Sequence, residues 1–91
     1  MSRLERRLFR LADEIAHVSE ELRQAEEELF VLMHLDDDAQ RDAAVSDHPI
    51  DRDDARETAA DVARFRRLVA HLTGKRDDLE SKRQRLLLRL G

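Results

Sequence analysis

Ser46-Asp47-His48-Pro49-Ile50-Asp51 is the one stretch where this chain breaks its own rhythm. Pro49 lacks the amide hydrogen that a helix interior needs, and its ring pushes His48 away from helical geometry. Asp51 can serve as an N-cap, Asp53 and Asp54 suit the positive end of a helix dipole, and Ile50 is placed for a hydrophobic staple. The stretch therefore predicts a turn at about residues 46–50. A second helix should follow from about Arg52 to Leu90, with Gly91 as terminator.

On either side of this turn the apolar residues step by threes and fours. Before it come Leu4, Leu8, Leu11, Ile15, Val18, Leu22, Ala25, Leu29 and Leu32; after it come Ala55, Val62, Phe65, Val69, Leu72, Leu79, Leu86 and Leu90. Such spacing keeps one narrow apolar seam on a helix, the pattern of a coiled coil. Helix 1 is expected from about Ser2 to Leu35, or on to Val45. Asp36 falls on a seam position and argues for a kink or break, whereas Ala39, Ala43 and Ala44 favour continued helix. Two matched helical arms around a short turn predict an all-α fold, an antiparallel two-helix coiled-coil hairpin forming a single domain over residues 1–91.

Composition agrees. Of 91 residues 42% are charged, with two Gly, one Pro, three Phe and no Cys, Trp or Tyr. No disulfide or thiolate metal site is possible without Cys. No apolar run is long enough to span a bilayer, and Asp13 and Glu14 interrupt the basic N-terminus before any signal-peptide core can form, so a cytoplasmic location is expected. Arg outnumbers Lys fifteen to two, which suggests a bacterial, GC-rich source. The net charge of −4 gives no bulk attraction to nucleic acid.

Charge also suggests how the arms align. If residue n faces about residue 97−n, Arg76 meets Glu21 and Arg83 meets Glu14, and these pairs set the register. Lys75 and Lys82 match the same two acids. Charge is segregated as well. Residues 1–12 and 75–91 hold ten Lys and Arg against four acids, a net +6, while residues 36–61 hold ten acids against three Arg, a net −7.

One seam cannot cover all the apolar residues. Leu29 to Leu35 is apolar almost all the way round, and Phe9, Leu68, Leu87 and Leu88 lie off the stripe; such surface asks for a partner. A second hairpin would cover it, giving a homodimer that is a four-helix bundle. Phe9, Phe30, Val31, Met33, Leu87 and Leu88 are the expected interaction surface. The leading reading is a non-enzymatic protein–protein interaction module, an adaptor or regulator of bacterial machinery with an unknown protein partner and no cofactor.

Two other readings compete with it. Asp36, Asp37 and Asp38 would form an acidic tip, and Glu14-x-x-His17 has the spacing of di-iron four-helix bundles. Lys82 and Arg83 near Glu14 would repel a cation there, so no metal is expected. Ser46-Asp47-His48 is no catalytic triad, since adjacent side chains on a turn diverge.

With acids near its turn, the hairpin resembles the coiled-coil arm of the Gre-type transcription cleavage factors. The resemblance covers the hairpin only and carries no specific tip motif. It implies a regulator acting on RNA polymerase through the acidic tip. The architecture is also similar to the cyclic-di-GMP-responsive anti-sigma factors of actinobacteria. Their ligand motif E-x3-S-x2-R-x3-Q-x3-D aligns best on Glu57, Asp61, Arg64, Leu68 and Leu72, where only Glu57 and Arg64 match. That likeness implies masking of a protein such as a sigma factor, and not dinucleotide binding.

Overall fold

The first helix starts on a reciprocal cap. The Glu5 amide donates to Ser2 Oγ at 3.1 Å, and the Ser2 amide donates to Glu5 Oε1 at 3.3 Å. This is a capping box, which satisfies two otherwise orphaned donors. From there α1 runs over Arg3–Val45 in the computed structural model, which describes residues 1–90. The Gly91 terminator lies outside the described residues. A second helix, α2, covers Pro49–Leu90, and the described residues include no strand. The expected antiparallel two-helix hairpin is the observed fold.

Three residues, Ser46, Asp47 and His48, join the helices. The turn is tighter than the 46–50 span expected, and the cap is a different residue. His48 is the N-cap. Its Nδ1 accepts the Ile50 amide at 3.3 Å and its carbonyl accepts the Asp51 amide at 3.2 Å. Pro49 occupies the first helical position, where its missing N–H costs nothing and its fixed φ suits the helix. Asp51 is therefore not the cap but a first-turn acid, which still complements the helix dipole. Ile50 lies inside the helix and is exposed, so it forms no staple. Ser46 Oγ accepts the His48 amide at 3.1 Å and completes the turn.

The chain divides into two compact units, each containing a piece of both helices. The base unit comprises Met1–Arg23 and the described part of Ala70–Gly91. Its core is the seam itself: Leu11, Ile15, Val18 and Leu22 from α1, with Leu72, Leu79 and Leu86 from α2. Val18 and Leu22 are the most enclosed, at 2% and 3% exposure. Burial of one such side chain contributes roughly 1.5–3 kcal/mol.

The turn unit is Gln24–Val69. Its buried apolar residues are small, namely Ala25, Ala55 and Val62. Leu29, Leu32, Phe65 and Val69 are only half-buried on the same seam.

α1 passes through Asp36 without the break the sequence suggested. The reason is local. Asp36 Oδ1 accepts the Thr58 hydroxyl at 2.8 Å and the Gln40 side-chain amide at 3.0 Å, while that same amide donates to the Ala55 carbonyl at 2.8 Å. A carboxylate with two donors can occupy a half-buried seam position because its desolvation is compensated. These bonds place residue n of α1 opposite about 94−n or 95−n here, two to three residues from the 97−n alignment.

Candidate interaction surfaces

Two grooves flank the seam in the base unit. One is apolar, about 360 Å³, and lined by Leu8, Phe9, Ala12 and Leu87 between Glu5 and Arg83. Phe9 is 59% exposed at its edge, and Leu88 stands still further out. The other is a basic cleft of about 560 Å³, where Arg7, Arg10, Lys82, Arg85 and Arg89 surround Leu11 and Leu86, with Glu14 as the sole acid in its lining. The basic base end foreseen from sequence is thus split. Arg83 lies on the apolar side, and Arg6 donates to the Met1 carbonyl at 2.9 Å.

Among the register residues, Glu14 and Lys82 do share one cleft. The ion pairs of the two seam arginines stay within α2, however. Arg83 reaches Glu80 at 2.7 Å and Arg76 reaches Asp77 at 3.5 Å. Glu21 pairs with His17 at 3.1 Å, one turn away on α1. Local partners win here: Glu80 and His17 lie one turn from Arg83 and Glu21, and Asp77 is next to Arg76, so each is reached at little entropic cost. Arg83 leaves its Nε buried with no hydrogen-bond partner.

The turn unit carries the second apolar surface. Phe30, Val31, Met33, Leu35 and Leu68 are all exposed, Phe30 most of all at 65%. His34 meets the Phe30 ring edge-on, 4.6 Å between centroids and 84° between planes. Arg64 lies 6.0 Å over the Phe65 ring and pairs with Asp61 at 2.9 Å within α2, leaving Arg66 and Arg67 exposed.

Of the three acids expected at a tip, only Asp38 lines the turn-unit cleft. Asp36 is spent on Thr58 and Gln40, Asp37 is exposed, and Asp38 pairs with Arg41 at 3.7 Å. What the turn unit brings together instead is Asp38, Asp42, Asp51, Asp54 and Glu57, around a cleft of about 280 Å³ with Leu35 and Ala39. Asp42 was legible only as charge, because the spacing of one helix does not reveal which acids of the other it meets. No group of three His, Cys, Asp or Glu side chains among the described residues has metal-binding geometry.

His17 is occupied by Glu21, and Glu14 sits among Arg10, Lys82 and Arg85. Ser46 and His48 both accept backbone amides of the turn. Among the described residues, no helix is long and apolar enough to cross a membrane. Comparisons with protein-family models, curated proteins and solved structures found nothing that matches this chain.

Proposed function

We propose that the chain is a non-enzymatic protein–protein interaction module, a cytoplasmic adaptor or regulator of bacterial machinery that first associates with itself. The observation that carries this reading is the exposure of its large apolar side chains. Phe9, Phe30, Val31, Met33, Leu87 and Leu88 are each between 41% and 79% exposed. Aromatic and aliphatic anchors of this kind dominate interface energetics once a partner excludes water from them. Contiguous apolar surface on a chain this small is a liability unless it is covered. A homodimer in which two hairpins form a four-helix bundle covers it at both units.

Three polar groups that could have done chemistry have structural employment, which supports the non-enzymatic reading. Ser46 and His48 hold the turn, and Asp36 holds the seam.

Sedimentation equilibrium is the test. The wild type should behave as a dimer, and Phe30→Asp should shift it to monomer with unchanged helix content by circular dichroism. Leu22→Ala is the contrasting variant, since it should lower stability by about 2–3 kcal/mol through loss of core. A wild type that stays monomeric at tens of micromolar overturns the reading.

A further inference from the structure

Most cations on this chain that form ion pairs do so within one turn of their own helix. Arg41 pairs with Asp38, Arg56 with Asp53, Arg64 with Asp61 and Arg83 with Glu80. Among the charges that have no ion pair, two sets are gathered around clefts. Arg7, Arg10, Lys82, Arg85 and Arg89 surround the base-unit cleft, and none of them has an ion pair among the described residues. Asp42, Asp51, Asp54 and Glu57 surround the turn-unit cleft and also lack ion pairs there.

Like charges gathered within a Debye length repel one another, and each set is relieved by the opposite sign. The two clefts also share a construction. Each has a charged rim around apolar side chains, Leu11 and Leu86 in the first, Leu35 and Ala39 in the second.

We propose that the acidic cleft of one copy docks on the basic cleft of a second copy. The proposal rests on the self-association argued above and adds a second contact to it, across the base-unit seam from the Phe9 and Leu87 groove. Each copy carries one cleft of each sign, so each can supply either half of the contact. A free polyanion such as nucleic acid is a poorer fit, because it would leave the apolar Leu11 and Leu86 of the cleft uncovered. A second copy brings acids and apolar side chains to the cleft together.

Charge reversal at each cleft tests the contact by sedimentation velocity in low salt, with circular dichroism to confirm helix content. R85E/R89E leaves the basic cleft with three cations against three acids, and D54K/E57K leaves the acidic cleft with three acids against two lysines. Each variant alone should associate roughly tenfold or more weakly than the wild type, and an equimolar mixture should recover association. Raising NaCl from about 0.05 to 0.5 M should weaken the wild type in the same way. R66E/R67E changes net charge equally outside both clefts and should associate like the wild type.

The two proposals fail differently. A dimer that is lost in Phe30→Asp but keeps its affinity in both cleft variants overturns this contact while leaving self-association intact. A mixture that does not recover association also overturns the contact. A monomeric wild type overturns both proposals, and heparin binding by that monomer would give the basic cleft to a different polyanion.

Discussion

Thr58 of α2 donates its hydroxyl proton to the carboxylate of Asp36 on α1 at 2.8 Å, joining the helices through a polar layer set in an apolar seam. Without that bond the hydroxyl still has the Asp54 and Ala55 carbonyls within reach, at 3.1 and 3.2 Å. The carboxylate has no such second choice on α2. Thr58→Val should therefore lower the unfolding free energy by about 1 kcal/mol in urea at fixed protein concentration. Asp36→Leu should leave stability equal or higher, because an apolar residue then fills the seam and both former donors keep backbone acceptors. A large loss in Asp36→Leu would refute this account of the layer.

Gly74 lies inside α2, where a methyl group at its Cα would meet nothing within 4 Å. No positive φ requires glycine at that position. Gly74→Ala should raise stability by about 0.5–1 kcal/mol, since alanine loses less backbone entropy on entering a helix. Thermal unfolding by circular dichroism checks the sign.

Arg83 occupies a seam position with its Nε buried and unpartnered, although its terminal nitrogen reaches Glu80. Its guanidinium is thus only partly compensated for leaving water. Arg83→Met keeps the stem and removes the orphaned donor, so it should raise stability by about 1 kcal/mol, a figure moderated by the partial exposure of the side chain. Urea denaturation compares it directly with the wild type, and a loss of stability would mean that the Glu80 pair outweighs the orphaned donor.

Two caps can be read amide by amide. Ser2→Ala removes the acceptor for the Glu5 amide, and His48→Ala removes that for the Ile50 amide. Each should cost about 0.5–1 kcal/mol, seen as faster hydrogen exchange at the capped amide with little change in the core.

The seam was legible because period alone decides it. Every buried apolar residue, from Leu11 to Leu86, belongs to the series stepping by threes and fours. The turn was legible because proline forbids a helix interior. What period could not supply was identity across the two helices. Asp36 read as a break because its two donors, Gln40 and Thr58, come from another turn and another helix.

The cap at the turn was misplaced for a related reason. Asp51 has the stronger intrinsic preference, but Pro49 fixes the first helical position and leaves His48 as the residue before it. A capping box at Ser2 and Glu5 was readable from S-x-x-E spacing, a signal the seam overshadowed. The off-seam apolar residues stood out as surplus, and they are exposed in the hairpin. Sequence pattern could mark the charged ends but not divide them, since a cleft is lined from both helices at once.

The three-residue link also has a kinetic side. Near it the partners lie close along the chain, Gln40 with Ala55 and Asp36 with Thr58. At the far ends Leu11 and Leu86 line one cleft from opposite extremes of the polypeptide. Closing a short loop costs less entropy than closing a long one. Loop closure therefore favours pairing of the arms that starts beside the proline and zips outward. By the same entropy the leucine-rich segment, though it holds the larger side chains, is expected to come together last.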